Sequence, residues 1–307
     1  MNRDYDSGFR WGPFEIQDQG TGLRPLRIQQ WGGCVRYPYE PSEVKHSQHI
    51  SQVNTLRPII HKGCHYGSEF THPRDYPDHT EWYFWDNCLI PEYQTPPHDQ
   101  PGKNWCRLVF RGCFPGDYLG RDQDLTEHEH RVTDRLGHTW DQRLQFRENR
   151  SRGSRVLLCL STESMSPSYY GHTQSEIIQR VQGECQRQGL DLHLRPKQPR
   201  NIRRRLEDQL EGEWRCVIAS HSAIVGESLK LGYPTVSLGQ SAYPRECLTW
   251  PEFCEGGTLT LDPQRVRQRT RELLALTWHK RELLEGTWCH HRIRICQFRP
   301  QEQWQLW

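Results

Sequence analysis

The most regular hydrophobic pattern begins at residue 155. RVLLCL (155–160) is an unbroken apolar run, the form expected of a parallel strand buried on both faces. SEIIQRVQGECQRQG (175–189) then places Ile177, Ile178, Val181 and Cys185 at helical spacing and stops at Gly189. Further strands are predicted at LDLHLRP (190–196), RCVIAS (215–220) and PTVSLG (234–239), separated by helical stretches NIRRRLEDQLEG (201–212) and AIVGESLKLG (223–232). Strands alternating with helices predict an α/β fold with a parallel sheet covered on both faces. The stretch VRQRTRELLALTWHKRELLEG (266–286) predicts a final helix.

Residues 1–150 read differently, with short apolar runs set among Trp, Tyr, Pro and His. Strands are predicted over residues 26–30, 57–61, 81–85 and 105–111, and PEYQTPPHDQP (91–101) is loop. Residues 121–155 are strongly charged and end in RENRSRGSR, an exposed linker or crossing. The pattern divides the chain near Arg150, into domains 1–150 and 151–307.

Composition narrows the class. Hydrophobic residues make up only 34 %, but there are 12 Trp, and aromatics reach 11 %. Each large ring buries about 150–250 Å², so the chain is globular rather than disordered. Forty Lys and Arg against 38 Asp and Glu leave +2, which excludes bulk charge as a means of coating nucleic acid or an anionic membrane. A local basic surface stays open, and the excess of Arg over Lys fits anion recognition or genome composition equally. No apolar run reaches the roughly 18 residues of a membrane span, and MNRDYDSGFRWGPF is not a signal peptide, so a cytoplasmic protein is expected. Among 12 Cys there is no CxxC pair. Cys106 and Cys113, Cys247 and Cys254, and Cys289 and Cys296 stand seven apart, which matches no common zinc spacing. Free thiols are the expectation, and His72, His79, His290 and His291 do not change it, so no metal is predicted.

In an open parallel sheet, ligands bind beyond the carboxyl ends of the strands. The loops there are STESMSPS (161–168), RPKQPR (195–200), SHSAIVGE (220–227) and GQSAYP (239–244). They bring small, hydroxyl-bearing and cationic residues to one edge, a set suited to a phosphorylated ligand. In the third loop Ser222 is placed to cap a helix, Glu227 follows about a turn and a half later, and Gly232 and Pro234 close the helix and open the next strand. The plainer alternative makes Ser222 only a cap and Glu227 only an exposed helix residue; Arg203, Arg204 and Arg205 read as a solvated helix face.

The pattern Ser222-x-x-x-x-Glu227-Ser-Leu-x-x-Gly232-x-Pro234-Thr-Val resembles the nucleotide-sugar-binding segment of GT-B glycosyltransferases, nearest to their capsule-polysaccharide and phage-encoded branches. The resemblance implies two Rossmann-like domains facing across a cleft, the N-terminal one on the acceptor side and the C-terminal one holding the donor. It implies that Ser222 and adjacent amides meet the diphosphate with His221 nearby, and that Glu227 accepts from the ribose hydroxyls. Arg195 and Lys197 would pair with phosphate or orient the helix; Ser161, Ser164 and the Ser241 loop would face the sugar or diphosphate. A UDP-sugar donor is implied, no obligatory cofactor, and a final helix crossing back to the first domain.

The stretches HYGSEF (65–70), EWYFWDNCLIPEY (81–93) and NWCRLVFRG (104–112) resemble a pattern of phage-type relatives in which an aromatic strand ends in Asp. That makes Asp86 the implied base for the acceptor hydroxyl, with Glu69 and His65 as further candidates; the alternative is an Asp86–Asn87 turn. The Asp-x-Asp triplets at Asp4–Asp6 and Asp122–Asp124 follow no apolar run, so a metal-anchored site is not predicted. The implied acceptor is 5-hydroxymethylpyrimidine in phage DNA, with Arg and Trp11, Trp31, Trp82 and Trp85 as contacts and the host cytoplasm as location, or a capsule-type glycan stacking on the same rings. A non-catalytic nucleotide- or glycan-binding module and a sugar-nucleotide 2-epimerase are the other classes the pattern admits.

Overall fold

The computed structural model describes residues 14–16, 26–31, 34–36, 59–62, 82–90, 105–110, 125–161, 163, 172–197, 205–219, 223–239, 241–279 and 282. Among these, the residues up to Gly137 and those from Leu274 on form one compact unit, and His138–Leu273 form another.

In the first unit, β1 (Phe14–Ile16), β2 (Leu26–Trp31) and β3 (Cys34–Arg36) make an antiparallel sheet. A mixed sheet follows: β4 (Ile59–Lys62) is parallel to β5 (Trp82–Asn87), which is antiparallel to β6 (Trp105–Phe110). The described part of this unit is therefore not the all-parallel arrangement that a Rossmann-like domain implies. The charged stretch 121–155 is not simply linker, for it contains helix α1 (Thr126–Leu136), which buries His128 and Val132 and ends at Gly137 with φ +72°.

The second unit holds five parallel strands: β7 (Ser151–Cys159), β8 (Asp191–Arg195), β9 (Trp214–Ala219), β10 (Thr235–Ser237) and β11 (Leu248–Thr249), in the order β11-β10-β9-β7-β8. The first strand thus lies between the second and the third, and the topological switch point falls between β7 and β9. Helix α2 (Gln174–Arg187) starts at a capping box in which Thr173 and Glu176 satisfy each other's backbone N–H groups. Its buried Ile177, Val181 and Cys185 pack on one sheet face with Val156, Leu158, Cys216, Ile218, Val236 and Leu238.

The predicted helix over 201–212 is shorter among the described residues, where only α3 (Leu206–Gln209) is helical, and Gly212 sits at φ +92°. Helix α4 (Ile224–Lys230) packs against β9 and β10 on the face opposite α2. Ala223 occupies its N-cap position and makes no side-chain cap, and Ser222 lies outside the described residues. Gly232 ends it at φ +91°, and a Cβ there would stand 2.3 Å from the Glu148 carbonyl oxygen. The segment leading into β7 lies directly on this turn, with Arg147 N–H donating to the Lys230 carbonyl at 2.9 Å and Arg150 N–H to Gly232 at 2.7 Å.

A helix not predicted, α5 (Trp250–Cys254), adds Trp250 and Phe253 to the core beside α2. Its start carries a local signature, a Thr249–Glu252 capping box with Pro251 in the first turn. Helix α6 (Pro263–Leu273) buries Val266, Arg269, Thr270 and Leu273, one stripe at helical spacing.

The final helix predicted over 266–286 is interrupted after Leu273, and Glu282 is again helical. Residues Leu274–Leu276 form a 3₁₀ turn, and β12 (Thr277–His279) then joins the first unit's mixed sheet, antiparallel to β6. The physical reason is burial on every side: Leu273–Trp278 are all buried, and a continuous apolar run has no period that separates helix from strand. Arg131 of α1 anchors this return. Its Nη1 donates to both Glu282 carboxylate oxygens at 2.8 Å, its Nη2 donates to the Leu274 and Thr277 carbonyls at 3.0 and 2.7 Å, and its guanidinium lies 4.0 Å from the Trp278 ring centre. Burial lowers the Arg131 pKa, and Glu282 opposes that shift.

Candidate functional site

The sheet of the second unit ends in a straight line. Register aligns Arg195 with Cys159, Cys159 with Ala219, Ala219 with Ser237, and Ser237 with Thr249. The ladder runs one step further where Leu160 N–H donates to the Arg195 carbonyl at 3.0 Å and Leu238 N–H to Ala219 at 2.9 Å. All the loops singled out in the sequence therefore leave the sheet at one level. Laterally paired residues of a parallel sheet share a face, so Arg195, Cys159, Ala219 and Ser237 lie on the face that α4 covers, opposite the α2 cluster.

Three of the predicted donor-side residues lie close to this line. Arg195 closes β8 and is 4 % exposed, so its cation belongs to the interior of the edge. Lys197, two residues on, is exposed. Glu227 lies half-buried in the first turn of α4. Burial pushes the Cys159 thiol up to about 12; Arg195 pulls against that shift and Glu227 adds to it, so a cation and a carboxylate act on the same buried sulfur. Cys159 carries no local signal in the sequence; strand register sets it beside Arg195.

Ser161 follows β7, half-buried, and its carbonyl accepts from Gln174 Nε2 at 2.7 Å, which ties the loop to the start of α2. Ser241 is buried after β10. Its Oγ accepts the Tyr243 N–H at 3.0 Å; burial pushes the nearby Cys247 thiol up to about 12, and the Ser241 hydroxyl opposes that shift. The structure thus gives Ser241 a local turn to hold. Ser164, His221 and Ser222 lie outside the described residues, as do Glu69 and His65. Asp86 lies in β5 of the first unit, in register with Arg107 of β6.

A cavity of about 150 Å³ beside β11 is lined by residues including Arg245, Glu246, Thr258, Asp262 and Arg265, and none of the predicted site residues lines it. Among the described residues, the cysteines are free thiols, no group of three or more His, Cys, Asp and Glu is arranged to hold a metal ion, and no helix is long and apolar enough to cross a membrane.

No protein-family model matches the chain, and no curated protein matches its sequence. Among solved structures, the chain is similar to Thermosulfurimonas dismutans KpsC, a beta Kdo 2,7 transferase, at 13 % identity and a TM-score of 0.44, over 79 % of this chain and 90 % of that one. At that identity and TM-score the likeness carries no argument about activity.

Proposed function

We propose that the protein is a glycosyltransferase that holds a nucleotide-diphosphate sugar at the carboxyl edge of the second unit's parallel sheet and transfers the sugar to a glycan hydroxyl. The observation that supports the reading is the common level of the strand ends, with Arg195 and Glu227 acting on one buried thiol beside the switch point. In this reading Glu227 accepts hydrogen bonds from the ribose hydroxyls. Lys197, exposed at the same edge, pairs with the diphosphate, while the buried Arg195 orients the segment. Ser161, Ser164, His221 and Ser222 complete the donor site. Cations and loop amides stabilise the departing diphosphate. The domain of residues 1–150 supplies the acceptor side, with Asp86 as the base that takes the hydroxyl proton and Glu69 or His65 as its substitutes. No described feature favours 5-hydroxymethylpyrimidine DNA over a glycan.

Saturation-transfer NMR with UDP-, GDP- and CMP-sugars tests the donor site. A UDP- or GDP-sugar is expected to bind, CMP-sugars serving as the monophosphate control, and Glu227→Ala is expected to weaken it about tenfold or more, the loss of hydrogen bonds to a charged group at about 1.5–3 kcal/mol. Binding by no donor sinks the reading. Turnover on capsule-type glycans that is insensitive to salt separates them from DNA acceptors, for which activity falls steeply with salt.

A further inference from the structure

Gly226 sits inside α4, next to Glu227, and has no positive φ to explain it. A helix-interior glycine costs about 0.5–1 kcal/mol relative to alanine, so its presence needs another reason. The reason is Tyr243. A Cβ at position 226 would stand 2.5 Å from Tyr243 Cε2 and 2.9 Å from both Cζ and the hydroxyl oxygen. Ordinary contact begins at 3.4 Å, so a methyl group there forces the helix and the ring apart by roughly 1 Å.

Tyr243 is not free to yield. It is 1 % exposed, and its hydroxyl meets Thr270 Oγ1 at 3.1 Å. Thr270 in turn donates to the Val266 carbonyl at 2.8 Å. The buried Arg269 donates from Nε to the Ala242 carbonyl at 2.7 Å and from Nη1 to Glu272 at 2.8 Å. On its backbone side, Tyr243 N–H donates to Ser241 Oγ at 3.0 Å and its carbonyl accepts from Cys247 Sγ at 2.8 Å. The loop after β10 is therefore pinned to α6 from two adjacent residues, and its tyrosine is the wall on which α4 rests.

We infer that Tyr243, seated on Gly226 and tethered to Thr270, is a positioning residue that sets the spacing between the segments carrying Glu227 and Ser241, and with it the fit of the nucleotide-sugar donor. The inference rests on the donor site proposed above. Tyr243 touches no ligand in this account; it acts through the helix that presents Glu227. A displacement of about 1 Å at a binding group is enough to cost up to a hundredfold in rate, so the contact has functional leverage.

The test is donor affinity for Gly226→Ala, Tyr243→Phe, the double variant Gly226→Ala/Tyr243→Leu, and Val181→Ala, which removes core volume on the opposite sheet face. Titration uses whichever UDP-, GDP- or CMP-sugar binds the wild-type chain. Gly226→Ala is expected to weaken it about tenfold and Tyr243→Phe less, the double variant to recover most of the loss, and Val181→Ala to leave affinity unchanged despite a lower Tm. Wild-type affinity in Gly226→Ala, or an equal loss in Val181→Ala, overturns the inference, as does failure of the double variant to recover. If Gly226→Ala does not fold, Tyr243→Phe decides through amide hydrogen exchange, with faster exchange at residues 223–231 expected and unchanged exchange there overturning the coupling. A wild-type chain that binds none of the donors overturns the donor reading and the functional half of this inference, and exchange then reports whether Tyr243 still braces α4.

Discussion

In the second unit, β7 to β11 come from one continuous stretch of chain, each strand parallel to its neighbours and closed by a short crossover. In the first, β6 is covered on one side by β5 and on the other by β12, and the Cys106 Sγ–Trp278 carbonyl contact spans 172 residues of sequence. The parallel sheet is held by apolar faces packed on α2 and α5. The mixed sheet gains its edge only after the chain returns, and that return is held by the buried Arg131, which pairs with Glu282 and donates to the carbonyls of Leu274 and Thr277. Contiguous crossovers let apolar burial do the organising, whereas a distant edge strand depends on a directional polar anchor.

Glu282→Ala should break the contrast most sharply. It strands the Arg131 cation in a buried site and should cost about 3–5 kcal/mol in a urea melt. Arg131→Met with Glu282→Leu should recover most of that loss, since replacing both partners removes the desolvation cost; no recovery would mean that the carbonyl contacts of Arg131 are what hold the return. The matching change in the other sheet is Leu158→Ala, in the apolar cluster under α2. Denaturation should show a loss of about 2–5 kcal/mol from the cavity, with no single second-site partner to restore it.

Gly232→Ala probes where the parallel unit depends on backbone geometry instead of side chains. With φ at +91° and a carbonyl 2.3 Å from the new methyl, it should lose at least about 1–3 kcal/mol in the same melt. Glu246→Gln should give the smallest effect. Burial raises the Glu246 carboxyl pKa, against the pull of Arg269 and Arg265, so ionising it favours the unfolded chain. The wild type therefore loses stability as pH rises from the unfolded value, about 4.3, through the raised folded value. The glutamine variant should be more stable by about 0.5 kcal/mol at neutral pH and equal to wild type well below pH 4, as followed by Tm against pH.

Much of the parallel unit is legible in the residues. The run at 155–160, the stripe of Ile177, Val181 and Cys185, and the stops at Gly189 and Gly232 are local signals, and the elements fall where those signals put them. The candidate site is only partly legible. Loop chemistry picks out Arg195, Lys197 and Glu227, but the burial of Arg195, the register of Cys159 beside it and the commitment of Ser241 to a turn follow from register and packing. The short length of α5 hid it, although Thr249, Pro251 and Glu252 announce its start.

Period, capping and turn chemistry act over a few residues, so the sequence by itself determined that 155–239 alternates strand and helix, and which small, hydroxyl and cationic residues stand after each strand. Strand order, the level line of carboxyl ends, the bracing of Gly226 by Tyr243 and the conversion of Thr277–His279 from a predicted helix into an edge strand were decided by tertiary structure. Each of these depends on which surfaces far apart in the chain meet, and the energy of that meeting belongs to neither segment alone.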